Sequence, residues 1–312
     1  MPLSLDQYAC EFLPGRGLPW PAMPVVQPIK AKPKLKRLPI RGVLWTCYGT
    51  LLAISTGELQ FEADIEFVTD MALEKTIQEF KMWNSMSRKP GAPSAYMKEL
   101  FKKAYDIVRL TGQGEVKAEL IWDDIVKKLM TKEYAFDATT YGPQADYVKK
   151  IAYFYHASIQ GTGAYPGAAE ALRIVAGAGL PQGLCADGQC FTQVQLKKAL
   201  LEQDPSFDLA AHLPASLATL SCSVGSKKPG DAIFKAALAS FRARGLSAEE
   251  ILHVGSNLVR DIAPAKKFGM KTALFAGDRG SLNATSEQMD DPALRPDVLL
   301  TELTQIVDVI GE

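Results

Sequence analysis

The sequence predicts an α/β protein: a parallel sheet with helices on both faces, interrupted after its first strand by a helical insertion. Three observations carry this. From about Tyr165 onward, short apolar runs alternate with stretches at helical spacing. Before that alternation lie four successive stretches of helical character. Ahead of those, the apolar run Val43-Leu44-Trp45 reads as a buried strand that ends near Gly49, where a sharp turn is allowed, and Thr50 can hydrogen-bond locally in such a turn. The expected division is a proline-rich extension over 1–40, an α/β core over 41–52 and 164–312, and a helical domain over 53–163.

Global properties narrow the function classes. The 312 residues suffice for two compact domains and an extension. Lys plus Arg equals Asp plus Glu at 35 each, so no overall field draws the chain to nucleic acid. No run of about 18 apolar residues offers a membrane span, and the start of the chain lacks the apolar stretch of a secretory signal. The five cysteines, Cys10, Cys47, Cys185, Cys190 and Cys222, are odd in number and scattered. That pattern is no disulfide framework and fits a reducing cytoplasm. Cys185 and Cys190 lack the paired Cys/His partners of a zinc site.

Eight of the 19 prolines fall in 1–40, and proline withholds the amide donor and fixes φ, so neither helix nor central strand is expected there. Leu13, Leu18, Trp20, Met23, Val25, Val26 and Ile29 are nonetheless apolar. Two readings stand side by side: a mobile tail, or an arm docked through Trp20 on its own domain or a neighbouring subunit. Lys30, Lys32, Lys34, Lys36 and Arg37 form a basic run that suits a solvated linker or an acidic partner.

The insertion opens with good helix formers over 58–83, with Ile65, Val68, Ala72, Ile77 and Phe80 as its apolar face. Pro90-Gly91 marks a turn. A second helix places Tyr96, Leu100, Ala104, Ile107 and Val108 at helical spacing, and further helices are expected over 116–130 and 144–159. In the core, helices are expected over 168–176, 191–201, 231–244 and 261–268. Strands are expected over 183–185, 219–223, 251–254, 271–275 and from 297 to 300.

Ligands of such a sheet sit beyond the carboxyl ends of its strands. Four segments reach that edge: Trp45-Thr46-Cys47-Tyr48-Gly49-Thr50-Leu51, Leu184-Cys185-Ala186-Asp187-Gly188, Gly225-Ser226-Lys227-Lys228-Pro229, and Ile251-Leu252-His253-Val254-Gly255-Ser256 with Asp261 beyond. In order and spacing they resemble the four motifs of the haloacid dehalogenase-like (HAD) hydrolase superfamily, in its dehalogenase- and phosphonatase-like branch. Tyr48-Gly49-Thr50-Leu51 and Lys228-Pro229 carry the likeness most closely. The resemblance implies a Rossmann-like core, with the insertion as a helical cap of a kind that also forms dimer surfaces in relatives. It also implies covalent catalysis by an Asp, a Ser or Thr that binds a substrate oxygen, a Lys, and Mg²⁺ held by carboxylates in the phosphotransferring members.

Several polar positions depart from that pattern. Thr46 stands where the nucleophilic Asp belongs, and an unassisted threonine hydroxyl is a poor nucleophile. Tyr48 takes the second place and titrates too high to serve readily as an acid or base at neutral pH. Ala186 offers no hydroxyl to an oxyanion, and Asp187 adds negative charge where an anionic substrate would lie. Lys228 is the matching lysine. Of the metal positions, Ser256 replaces one Asp and Asp261 keeps the other. Arg88 and Lys89, in the insertion, suit a substrate carboxylate or a solvated loop. Cys47 should point away from Thr46 on an extended strand. His253 reads as a packed core histidine, and His156 and His212 have no recognisable partners.

The sequence therefore leads to a HAD-like protein with degenerate catalytic motifs and a binding, regulatory or assembly role. The alternative is an active HAD-type phosphatase or dehalogenase that uses rearranged groups. No cofactor is expected under the first reading and Mg²⁺ under the second. The candidate partners are a small anionic ligand, and a protein or second copy bound through the cap or the N-terminal arm. Nucleic acid and membrane are not expected partners.

Overall fold

The computed structural model describes residues 1–86, 93–112 and 114–310. The chain forms two compact units. One comprises 1–22, 60–161 and 189–198, and the other comprises 23–59, 162–188 and 199–312. Among the described residues no helix is long and apolar enough to cross a membrane.

The first unit is helical. Helices α1 (Glu66–Glu79), α2 (Pro93–Thr111), α3 (Ala118–Met130) and α4 (Gln144–Ile159) each bury residues three and four apart. On α3 these are Ile121, Trp122, Ile125, Val126 and Leu129. The last helix is buried on nearly every side, from Tyr147 through Ile159. Its Tyr155 ring lies 4.9 Å from Phe101 and 5.4 Å from Trp122. His156 is walled in by Phe61 and Phe191, each 5.0 Å away, and burial lowers its pKa to about 3, so it is a neutral core residue.

The expected start of α1 at residue 58 is displaced to Glu66. Side chains take the backbone donors just before it: Gln160 Oε1 accepts from the Gln60 amide at 2.7 Å, and Thr69 Oγ1 accepts from the Ala63 amide at 2.9 Å. Ile65 consequently precedes the helix and is 65% exposed instead of joining the core. Ile107 on α2 is also exposed, and Met97 and Phe101 bury in its stead.

The expectation of no helix in 1–40 is corrected for its first part. Short helical turns run over Leu5–Gln7, Tyr8–Phe12 and Pro14–Arg16. No proline lies between Pro2 and Pro14, Ser4 and Gln7 form a capping box, and Tyr8 and Leu13 are buried. Trp20 is half-buried in this helical unit, not against the sheet, with its ring edge-on to Phe154 at 5.2 Å and Lys75 Nζ 5.1 Å from its centroid.

The second unit is an α/β, Rossmann-like sheet. Its strands are β1 (Gly42–Trp45), β4 (Gln182–Ala186), β5 (Ala218–Leu220), β6 (Ile251–Gly255), β7 (Lys271–Phe275) and β8 (Val298–Leu300). They lie in the order β5-β4-β1-β6-β7-β8, with every neighbouring pair parallel. Val43, Leu44 and Trp45 are fully buried, as an apolar run in the middle of a parallel sheet requires. A separate antiparallel ribbon pairs β2 (Leu52–Ile54) with β3 (Thr162–Ala164). It belongs to the sheet unit, so the helical unit begins later than the expected 53 and ends earlier than 163.

Helices α5 (Ala168–Gly177), α6 (Thr192–Gln203), α7 (Asp231–Arg242) and α8 (Ala263–Lys267) complete the alternation. Residues 189–198, including the first part of α6, group with the helical unit. The strand expected over 219–223 stops at Leu220, and Ser221–Val224 forms a helical turn closed by Gly225 in the left-handed region. The helix expected from Asp261 starts earlier, as a wide turn over Leu258–Ile262. Asn257 caps the Val259 and Arg260 amides there, and Pro264 withholds a donor from the ladder that follows. Arm residues 23–40 belong to this unit, where Lys34 exchanges two backbone hydrogen bonds with Leu299 of β8 at 3.0 and 2.9 Å.

Candidate active site

Because β1 lies between β4 and β6, the residues just past their carboxyl ends are brought together. Thr46 follows β1, Asp187 follows β4 and Ser256 follows β6; Ala186 is the last residue of β4. Two glycines permit the close approach. A Cβ on Gly255 would stand 2.5 Å from the Asp261 carboxylate. One on Gly49, whose φ is +77°, would stand 2.7 Å from Ser256 Oγ.

Three of the sequence candidates close into one buried triangle. Lys228 Nζ donates to Thr46 Oγ1 at 3.1 Å and also to Asp261 Oδ1, and Thr46 Oγ1 donates to that same carboxylate oxygen at 3.1 Å. The other oxygen of Asp261 accepts from the Asn257 amide at 3.0 Å. Thr46 and Lys228 are each 5% exposed and Asp261 2%. Burial, the largest single influence, would raise the Asp261 pKa, but the Lys228 charge and smaller contributions from the neighbouring His253 and the Lys228 hydrogen bond together outweigh it and hold the carboxyl well below its usual range. Burial likewise works to lower the lysine, and Asp261 and Asp187 together raise it. The pair is ionised at neutral pH.

Asp187 was expected to add negative charge where an anionic substrate would lie. Its Oδ1 instead accepts from the Lys228 amide at 2.8 Å, and its Oδ2 is paired with Arg260. Arg260 also reaches Glu58 with its other terminal nitrogen. Sequence reading missed Arg260, Asn257 and Glu58. The available signals were an arginine next to the retained Asp261 and an asparagine, a helix-capping residue type, directly after Ser256.

Ala186 is fully buried and presents only a methyl group; Ser256 is 4% exposed. Tyr48 is 5% exposed and lies in the turn after β1, bridged to Leu52. Arg88 and Lys89 lie outside the described residues. Cys47 is fully buried and its thiol is pushed up to about 12 by burial, so it is no thiolate nucleophile. His253 is buried edge-on to Phe234, with Nε2 4.0 Å from Asp261 Oδ1, beyond hydrogen-bond reach. Burial lowers its pKa, so it is neutral.

The donor set does not suit Mg²⁺, which takes an octahedron of oxygens and at least one available carboxylate. The one motif carboxylate here, Asp261, already has both oxygens engaged, one of them by a cation. Among the described residues no three His, Cys, Asp or Glu side chains are grouped to hold a metal.

Residues 226–306, which contain Lys228, Ser256 and Asp261, match the HAD-hydrolase-like family. A glyceraldehyde 3-phosphate phosphatase of Pyrococcus furiosus is 33% identical over 146 residues, covering 46% of this chain and 53% of that protein. The chain thus spans about half the length of that curated relative. A 2-haloacid dehalogenase from Pseudomonas syringae pv. Tomato DC3000 superposes with a TM-score of 0.50 at 17% identity, over 86% of this chain and 96% of that one. A HAD phosphatase from Thermococcus onnurineus gives 0.44 at 17% identity, over 86% and 96%. At such identity the structural likeness speaks to the fold. The sheet order and the structural likeness agree that the chain has the haloacid dehalogenase-like fold, and its residues 226–306, with the Lys228-Pro229 segment, match that family.

Proposed function

We propose that this protein is a HAD-fold member that has lost covalent-aspartate catalysis and serves a binding, regulatory or assembly role, with its helical unit as the family's cap. One observation carries the reading. The side chain in the nucleophile's place, Thr46, is a hydroxyl fixed between Lys228 and Asp261, and each of those charges is consumed by the other. To attack, Thr46 must give up its proton. Lys228 is held charged and cannot take it, and a carboxylate held below its usual range is a weak base.

The same charges bear on the ligand. Lys228 pairs with Asp261 and Arg260 with Asp187, and Glu58 is a further carboxylate on Arg260. This set has no surplus cation to hold a phosphate or carboxylate. A protein partner therefore fits better than a small anion, and the site does not call for Mg²⁺. The alternative, an active hydrolase with rearranged groups, draws on the likeness to a phosphatase.

The test is turnover of a broad panel of phosphoesters and 2-haloacids, with and without Mg²⁺. No turnover above buffer is expected. Robust turnover that disappears in Thr46→Val overturns the proposal and makes the threonine the reacting group.

A further inference from the structure

The chain leaves the sheet unit at Leu59 and again at Gly188. Glu58 and Asp187, one residue before each exit, both belong to the sheet unit, and both are held by Arg260. Its Nη1 donates to Glu58 Oε1 and its Nη2 to Asp187 Oδ2. We propose that Arg260 is a latch that fixes these two exit segments to the sheet, and that releasing it loosens the Glu58 segment first.

Three features support the latch. The residues it joins are remote in sequence, and a guanidinium fork can serve two carboxylates from two nitrogens in a way an ammonium cannot. Thr56 and Gly57 lead into Glu58 with φ of +62° and +72°. Threonine holds such a conformation only where its surroundings impose it, so this exit is a constrained bend. The side chain of Arg260 is 25% exposed, and its partners are 51% exposed for Glu58 and 19% for Asp187.

The two arms of the latch are unequal. Beyond Asp187, the Gly188 amide donates to Ser221 Oγ at 3.0 Å, and the Gly188 carbonyl accepts from that hydroxyl and from the Cys222 amide, each at 3.2 Å. Asp187 itself holds the Lys228 amide. The Asp187 exit therefore stays anchored when Arg260 is lost. The more exposed Glu58 arm is also the one that salt screens. Because the latch lies outside the Thr46 triangle, it stands whether or not the protein turns over a substrate.

Limited digestion of the full chain with a glutamate-specific protease tests this, reading cleavage after Glu58 relative to cleavage after the exposed Glu287. Arg260→Met is expected to raise the relative rate at Glu58 roughly tenfold, since cleavage follows the population of the open segment. Arg260→Lys should fall nearer the methionine variant than the parent. If Arg260→Met does not fold, salt on the unmodified protein is the second measurement, and the relative rate should climb between about 0.05 and 1 M NaCl as screening sets in. A relative rate unchanged by substitution, or flat in salt where the variant cannot be made, overturns the latch.

Discussion

The buried pair between Lys228 and Asp261 makes a quantitative prediction through Lys228→Met, which keeps most of the side-chain volume and removes the charge. Asp261, 2% exposed, then loses the cation paired with it but keeps the Thr46 hydroxyl at 3.1 Å and the Asn257 amide at 3.0 Å. Stranding a buried charge costs about 3–5 kcal/mol, and the two retained hydrogen bonds hold the loss to roughly 3 kcal/mol. At about 2–4 °C per kcal/mol for a domain of this size, the melting temperature of the sheet unit should fall by roughly 6–12 °C at pH 7.

The pH dependence has a definite sign. In the parent, the depressed Asp261 contributes stability that is complete above the ordinary carboxylate range near ~4 and is lost as pH falls through its folded value. In Lys228→Met, burial acts on the carboxyl with its cation gone, so its affinity for protons rises. The penalty is then greatest at neutral pH and is relieved as acid protonates the group. The gap between parent and variant should therefore narrow from about pH 7 to pH 4, and Asp261→Asn in the Lys228→Met background should recover part of the loss. Thermal unfolding followed by circular dichroism across that range decides it. A fall of less than about 2 °C at pH 7, or a gap that widens in acid, would refute the charge pairing as drawn.

Further outcomes follow from the same geometry. Millimolar Mg²⁺ should leave the melting temperature unchanged, whereas a rise abolished by Asp261→Ala would show that the carboxylate is available to metal after all. Iodoacetamide at pH 8 should label the half-buried Cys10 and Cys190 in the folded protein and spare the buried Cys47, Cys185 and Cys222 until denaturant is added; peptide mass spectrometry reads the order. Deleting residues 1–22 removes Tyr8 and Leu13, 0% and 2% exposed, from the helical unit. At roughly 1.5–3 kcal/mol per buried apolar side chain, the helical unit should lose about 4 kcal/mol, and unchanged unfolding would return the arm to the status of a tail.

The core strands were legible because each is buried on both faces and reads as an apolar run bounded by glycine, proline or polar turns. The failures cluster where side chains took over backbone donors or acceptors. Good helix formers at 58–65 lost to Gln160 and Thr69, and the end of the expected strand at 221–223 lost to the Ser221 bond with Gly188. The Gln160 and Ser221 contacts have no local signature, since their partners lie 100 and 33 residues away. The site was legible in the same measure. Thr46, Lys228 and Asp261 meet because strand order obliges the chain after β1 to lie beside the chain after β6. The neutralisation of Asp187 was not legible, because it depends on which way Arg260 leaves a wide helical turn that the sequence reading did not place.

The geometry also suggests why a neutral threonine, and not an aspartate, fits the nucleophile's position. With Thr46 the buried triangle holds one positive and one negative charge and is neutral. An aspartate there would put a second carboxylate on the same lysine, leaving a net negative charge in a site almost closed to water. A metal ion is the natural way to compensate it. Loss of the nucleophile and loss of a reason to bind metal are on this view one change. Thr46→Asp alone should then destabilise the protein in the presence of a chelator, by roughly 2–3 kcal/mol because Lys228 is shared between two carboxylates. Millimolar Mg²⁺ should restore part of that loss in the variant while doing nothing to the parent, since only the variant offers two carboxylates. Thermal unfolding of both proteins with and without Mg²⁺ separates the outcomes. A variant as stable as the parent in chelator, or one whose loss Mg²⁺ leaves untouched, would mean that charge balance does not govern this position.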